Sequence, residues 1–223
     1  MTAPAGQIAD PIAGQVLTAL DGELPIYAVL DGARDSRVQS WVMKTGAPAW
    51  CLYAGNIPAE LAEAAPWLIR LGRGHAYTNE FFNEGWFDAW GIAFATAAPS
   101  RVLRRHLRQF LLARTESGTR LLFRYYDPRV LRAYLPTCNA GELARFFGPI
   151  DAFATPSRDP NAFQLFRRNG EALAERAVAY VPPRAATRPQ AARQLGIDEA
   201  LEENMAAARK FRPRRIGGTP FSS

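Results

Sequence analysis

Short apolar runs that alternate with helix-like segments are the feature of this sequence that most restricts its fold. Four runs of strand length lie at residues 25–30, 49–53, 66–71 and 90–95, and turn residues follow the first two. Two further runs, 153–154 and 162–166, flank a turn rich in Pro, Ser and Asp and predict a closing hairpin. Because strands alternate with helices, we predict an α/β domain over residues 24–168, with a mixed sheet and flanking helices.

The segments on either side of this domain differ from it in composition. Residues 1–23 begin with Ala, Pro and Gly, and we expect a flexible segment that enters a short helix at residues 12–20. Residues 169–223 are expected to be a mainly helical, partly flexible C-terminal region. No apolar run approaches the ~18 residues of a membrane span, and the start lacks a basic stretch followed by an apolar one. We therefore expect a cytoplasmic protein.

Arginine supplies almost all of the positive charge. The chain has 27 Lys and Arg against 21 Asp and Glu, a net charge of +6, and its only lysines are Lys44 and Lys210. Arginine favours bidentate pairing with carboxylates or phosphates. A predicted helix over residues 101–114 concentrates four arginines on one face, namely Arg101, Arg104, Arg105 and Arg108. A nucleic-acid-binding face is one interpretation, and a solvated or carboxylate-paired face is the other.

A strand that turns abruptly into a helix is predicted at residues 121–136. Asp127 has the position of a helix N-cap and Pro128 that of the first helical residue. This joint places Arg124, Asp127 and Arg129 close together, either as a catalytic corner or as a structural one. Asp31, at the end of the first predicted strand, could face Asp127 as a pair of carboxylates. The alternative function is therefore a hydrolase or nuclease that uses Asp31 and Asp127.

Other chemistry has little support in the sequence. Neither GxGxxG, nor GxxxxGK[ST], nor GxSxG is present, and the two cysteines lack CxxC spacing. The two histidines, His75 and His106, have no carboxylate at a helical ligand spacing. We expect no cofactor and no metal.

A dense group of aromatic residues surrounds Gly85 and either fills a core or lines a groove that receives a partner segment. As candidate partner-contacting residues we take Trp67, Phe81, Phe82, Trp86 and Phe87.

Several segments, in order along residues 26–150, give the chain a specific resemblance. They include Tyr27-Ala28-Val29-Leu30-Asp31-Gly32-Ala33-Arg34-Asp35, Ala64-Ala65-Pro66-Trp67-Leu68-Ile69-Arg70-Leu71, Trp90-Gly91-Ile92, Arg105-His106-Leu107-Arg108 and Phe123-Arg124-Tyr125-Tyr126-Asp127-Pro128-Arg129-Val130-Leu131. With these segments the chain resembles the type VI secretion effector adaptor-chaperone family, the Tap/TEC adaptor domain.

The resemblance implies a non-enzymatic role in the cytoplasm of a Gram-negative bacterium, without a cofactor. Such adaptors bind a cognate secreted effector and help to load it onto a VgrG-type spike protein, and neither nucleic acid nor membrane insertion is implied. The resemblance also implies that the charged residues of the joint are structural ion pairs and caps. These residues are Asp31, Arg108, Arg124, Asp127 and Arg129.

Overall fold

Seven strands form one sheet at the centre of the computed structural model, which describes residues 11–21, 23–55, 57–114 and 120–180. The strands are β1 (Ile26–Asp31), β2 (Ala49–Cys51), β3 (Pro66–Leu71), β4 (Gly91–Ala95), β7 (Ala152–Pro156), β8 (Ala162–Asn169) and β9 (Ala172–Ala179). Their order across the sheet is β2-β3-β1-β4-β7-β8-β9. The separate pair β5 (Leu112–Arg114) and β6 (Arg120–Leu122) forms a small hairpin.

The expected sheet with flanking helices is confirmed, and every strand pair within the described ranges is antiparallel. A mixed sheet was expected because helices alternate with strands in the sequence. That alternation does not fix strand direction, since β1 pairs with β3 and β4 across long connections that return the chain antiparallel.

Helices cover both faces of this sheet. They are α1 (Pro11–Asp21), α2 (Arg37–Thr45), α3 (Ala59–Glu63), α4 (Ala76–Glu80), α5 (Ser100–Arg108), α6 (Pro128–Tyr134) and α7 (Ala140–Phe147), with a π-helical turn at Phe81–Gly85 and a 3₁₀ turn at Leu135–Thr137. Alternate residues of β1 enter opposite cores, as strand geometry requires. Val29 packs with α5, α6 and α7, whereas Ala28 packs with α1, α2 and the π-helical turn.

Helix α1 includes the short helix expected at residues 12–20, and it packs against the sheet. Ile12, Val16 and Leu20 are fully buried, at the spacing of one apolar helix face. The guanidinium of Arg167 on β8 donates to the carbonyl oxygens of Ala19 (3.0 Å) and Leu20 (2.6 Å). A cation at the C-terminal end of a helix also interacts favourably with the negative end of the helix dipole. Residues 1–10 lie outside the described part of the chain.

The strand-to-helix joint differs from its prediction in the strand and agrees in the helix. Strand β6 ends at Leu122, and the aromatic residues after it form a turn rather than a strand. This turn buries the aromatic rings of Phe123, Tyr125 and Tyr126 in the core that also contains residues of α5, α6 and α7. Helix α6 begins at Pro128, and its N-cap Asp127 accepts a hydrogen bond from a backbone N–H of the first turn, as the sequence predicted.

The sheet continues past residue 168, where the sequence had suggested a boundary. β8 runs to Asn169, Gly170 turns the chain with a φ of 60°, and β9 adds an edge strand that ends at Ala179. A region expected to be mainly helical therefore begins with a strand, and residues 181–223 lie outside the described ranges. No helix in those ranges is long and apolar enough to cross a membrane.

Candidate functional site

The charged corner predicted from the sequence lies where β1 ends. Asp31 is fully buried, and the guanidinium of Arg124 reaches it from the turn after β6, 93 residues further along the chain. Arg124 Nε donates to Asp31 Oδ2 at 3.0 Å, and Nη2 of the same guanidinium donates to the same oxygen. The other carboxylate oxygen, Oδ1, accepts from the backbone N–H of Ala33 at 3.1 Å. The carboxylate is thereby satisfied by groups of the chain itself.

Burial dominates the electrostatics of this corner. It raises the pKa of Asp31, while the charge and hydrogen bonds of Arg124 lower the pKa and the nearby charge of Asp127 raises it. Burial and the Asp31 charge also raise the pKa of the Tyr53 and Tyr126 hydroxyls, which share a hydrogen bond. No sequence pattern indicates a role for these two tyrosines, because they come close to Asp31 only in the folded chain.

Asp127 is engaged in the same way by its own helix. Its Oδ1 accepts from the backbone N–H of Arg129 at 2.9 Å and from Arg129 Nε at 3.0 Å, and its Oδ2 accepts from Arg129 Nη2 at 2.5 Å. A hydrolase or nuclease would need a carboxylate oxygen free to act on water or substrate. Asp31 and Asp127 are close enough to interact electrostatically, but all four oxygens accept hydrogen bonds within the protein. This geometry favours the structural interpretation.

Arg108 holds backbone rather than a carboxylate. From the last turn of α5 it donates to the carbonyl oxygens of Leu52 (2.9 Å), Cys51 (3.1 Å) and Tyr53 (3.2 Å). It therefore caps the end of β2, and within the described residues it forms no ion pair. Arg34, which lies near Asp31 in sequence, instead donates to the carbonyl oxygen of Asp88 at 3.1 Å.

The aromatic group around Gly85 is core, which is one of the two interpretations that the sequence left open. Phe81, Phe82 and Trp86 are completely buried, with ring centroids 4.9–5.8 Å apart. The π-helical turn directs them towards α1 and the sheet, where their apolar area leaves water. Trp67 is only 9% exposed, and Phe87 is half-buried with its ring 6.1 Å from Tyr180.

An ion pair that the sequence analysis did not single out closes the turn after β1. Asp35 accepts from the guanidinium of Arg37 at 2.6 Å and from Trp90 Nε1 at 3.0 Å, and these hydrogen bonds lower its pKa to about 2. The guanidinium of Arg37 lies 5.2 Å from the centroid of the Trp90 ring. The i, i+2 spacing of Asp and Arg before a helix was the only available signal.

A comparison with protein-family models places the chain in a family. The model described as "Domain of unknown function (DUF4123)" matches residues 26–145, which is more than half of the chain. The chain belongs to this family. The DUF4123 domain is known as the type VI secretion effector adaptor (Tec/Tap) domain, so the resemblance found in the sequence is confirmed. Nothing among the curated proteins or the solved structures matches the chain.

The matched segment of this DUF4123 protein contains all five charged corner residues and the buried aromatic group. It begins with β1 and stops inside α7, so β7, β8 and β9 lie beyond it. No group of three or more His, Cys, Asp or Glu side chains in the described ranges is arranged to hold a metal ion. Burial raises the pKa of the half-buried Cys138 thiol to about 11, which disfavours the reactive thiolate.

Two arginine-lined depressions lie on the surface of the DUF4123 protein. One, of about 410 Å³, is lined by residues of α5 alone. The other, of about 470 Å³, lies between α6 and the strands β8 and β9. Both are open to partners, in contrast to the corner and the aromatic core.

Proposed function

We propose that this protein is a cytoplasmic adaptor that binds a cognate type VI secretion effector and promotes its loading onto a VgrG-type spike. The observation that carries the proposal is the family match over residues 26–145. An adaptor of this kind performs no covalent step, so its requirements are a rigid frame and an accessible, selective surface.

The charged corner supports the first requirement. Through Asp31 and Arg124 it joins the central strand β1 to the turn that precedes α6. A buried ion pair fixes the geometry of the groups it joins, because any displacement would leave a charge unpaired in an apolar setting. The corner therefore holds the turn before α6 in a defined position at the end of β1.

The exposed side chains and surface depressions support the second requirement, an accessible and selective surface. The large apolar side chains exposed within the described ranges are Met43, Leu61, Leu112 and Leu122. With the arginine-lined depressions, they offer charged and apolar contacts to a protein segment. We propose that the region after residue 168 adds selectivity, since β9 is an edge strand and the chain continues beyond it.

Co-expression tests this proposal directly. The tagged protein is produced with the effector and the VgrG-type spike encoded beside its own gene, in pairs and all together, and captured complexes are resolved by size-exclusion chromatography. We expect a complex with the effector alone and a larger assembly when the spike is added. An effector encoded beside a different adaptor gene is the control and should not be retained. Capture of neither cognate protein would refute the proposal.

A further inference from the structure

Helix α5 carries a stripe of four arginines, of which two, Arg101 and Arg105, are exposed and the other two are half-buried. The arginine stripe consists of Arg101, Arg104, Arg105 and Arg108. Their spacings of three and four residues place the guanidinium groups along about 10 Å of one helix face. Leu103 and Leu107 on the other side are buried in the core, and this orients the stripe outwards. Together with Val102, the stripe lines the depression of about 410 Å³.

The protein leaves these charges without carboxylate partners in the part that the structure describes. The ion pairs found there belong to Arg37, Arg124 and Arg129. The Nε–H of Arg104 is buried and has no hydrogen-bond partner among the described atoms. Like charges one helical turn apart repel each other. An approaching carboxylate would relieve that repulsion.

The hairpin that follows α5 in the chain carries exposed apolar side chains. Leu112 and Leu122 pair across β5 and β6 and are 60% and 38% exposed. A protein segment can bury such leucines while its carboxylates meet the arginines. Nucleic acid would instead be expected to stack bases on exposed aromatic rings, and no aromatic side chain in the described ranges is exposed. These observations favour a protein partner.

The second depression is a weaker candidate, because two of the three arginines in its lining are already engaged. Of its arginines, Arg129 pairs with Asp127 and Arg132 donates to the carbonyl oxygen of Pro156. Glu175 also lies in its lining and would repel an anion. The depression on α5 has no carboxylate in its lining. Its exposed arginines, Arg101 and Arg105, form no ion pair within the described ranges, and Arg108 donates only to backbone carbonyl oxygens.

We propose that the arginine stripe, with the exposed leucines of the β5–β6 hairpin, is the docking surface for an acidic, leucine-containing segment of a partner protein. The proposal rests on the proposed function, because it names the chemistry of a segment that the adaptor captures. Each guanidinium can bind a carboxylate through two parallel hydrogen bonds. A segment with carboxylates on successive helical turns matches the length of the stripe.

A defined peptide tests the docking surface without the effector. The probe is a fluorescein-labelled peptide of about 12 residues that repeats Glu-Glu-Leu-Leu, long enough to span the stripe as a helix. Binding to the full chain is followed by fluorescence anisotropy at about 50 and 200 mM salt. A Gln-Gln-Leu-Leu peptide and a single-stranded oligonucleotide of similar length are tested in parallel. We expect the acidic peptide to bind more tightly than both, and more weakly at the higher salt concentration.

Two sets of substitutions locate the binding. The double variant, Arg101→Gln with Arg105→Gln, changes two exposed side chains, and the triple variant adds Arg104→Gln. Arg108 is kept because it caps β2. The triple variant should weaken peptide binding about tenfold or more. The matched control removes three exposed charges at the opposite edge of the sheet. It consists of Arg158→Gln, Arg168→Gln and Arg176→Gln.

Each outcome bears on the proposal. No acidic-peptide binding, equal weakening by the control set, or tighter binding of the oligonucleotide would overturn it. If the triple variant unfolds, the exposed double variant must still weaken binding, and unchanged affinity there counts against the stripe. If the peptide fails while the effector co-purifies with the adaptor, the docking surface is wrong and the proposed function stands. If the peptide binds but neither cognate protein is captured, the proposed function fails alone.

Discussion

Replacing Arg124 by Met should destabilise the protein strongly at neutral pH, because it leaves Asp31 buried without its cation. The Asp31 side chain is 0% exposed and that of Arg124 is 20% exposed, so water does not replace the lost partner. Removing one member of such a pair costs about 3–5 kcal/mol, a large part of a total stability of about 5–15 kcal/mol. For a chain of this length the melting temperature should fall by roughly 6–20 °C.

The pH dependence of this loss follows from the pKa of Asp31. Burial raises that pKa above its ordinary value of 3.8, and Arg124 opposes the rise. Without Arg124 the pKa rises further, and the folded protein can keep Asp31 neutral by binding a proton. A carboxyl with a raised folded pKa contributes its full stability below the unfolded pKa and loses it as pH rises through the folded pKa. The penalty should therefore be largest near neutral pH and shrink as pH falls towards 3.8.

Urea unfolding followed by tryptophan fluorescence measures both effects. Wild type, Arg124→Met, Asp31→Asn and the double variant form a cycle, and the double variant should be destabilised by less than the sum of the single variants. Arg37→Met is the matched control, because the Arg37 side chain is 57% exposed and its pair should contribute less than about 1 kcal/mol. A loss below about 1 kcal/mol for Arg124→Met, or a loss that does not change with pH, would refute the reasoning.

Three further predictions concern the N-cap, a close backbone contact and a buried histidine. Asp127→Ala should cost about 1–2 kcal/mol in urea unfolding, because α6 loses the cap of its first turn. Gly91→Ala should yield little soluble protein, because a Cβ there would lie 2.0 Å from a backbone oxygen of β1. Its control, Gly14→Ala in α1, places the Cβ in open space and should stabilise the helix by about 0.5–1 kcal/mol. Burial lowers the pKa of His106, whose Nε2 lies 2.9 Å from the carbonyl oxygen of Phe146. Its stability contribution is therefore complete above pH 6.5 and falls below that pH, and His106→Gln should flatten the decline.

Distinct results would contradict each of these three. If Asp127→Ala leaves the free energy of unfolding unchanged, water caps α6 as well as the carboxylate does. Asp127→Asn is the conservative control. Wild-type yield and stability for Gly91→Ala would show that β1 and β4 can separate enough to admit a methyl group. An unchanged pH profile for His106→Gln would mean that another group causes the acidic decline.

Elements with local signals could be predicted from the sequence closely. β3 has the predicted limits, residues 66–71, because Pro66 begins the apolar run and Gly72 follows it. The Asp127 cap was predictable for the same reason, since its partner lies two residues away. Short-range signals of this kind are written in consecutive residues and do not depend on the rest of the fold.

Features set by long-range packing could not be read in the same way. The aromatic run after β6 has the composition of a strand, yet it forms a turn. Phe123 and Tyr126 are aromatic residues that this turn buries in the core. Strand direction was also open, because apolar periodicity is the same for parallel and antiparallel neighbours. At the site, Arg34 is the nearest arginine to Asp31 in sequence, but the bonded arginine, Arg124, is 93 residues away. Proximity in the sequence therefore does not predict which arginine pairs with Asp31.

The hydrogen bonds from Arg167 to the end of α1 mean that the folding unit is longer than the family-matched segment. They join residues 147 and 148 positions apart, so the first helix acquires these partners only after β8 has been made. At about 5–20 residues per second, a nascent chain would wait roughly 7–30 s for this closure. A fragment cut to residues 26–145 would lose α1 and β7, expose the apolar residues of β4 that they cover, and be expected to aggregate. Experiments on this adaptor should therefore retain at least residues 11–180.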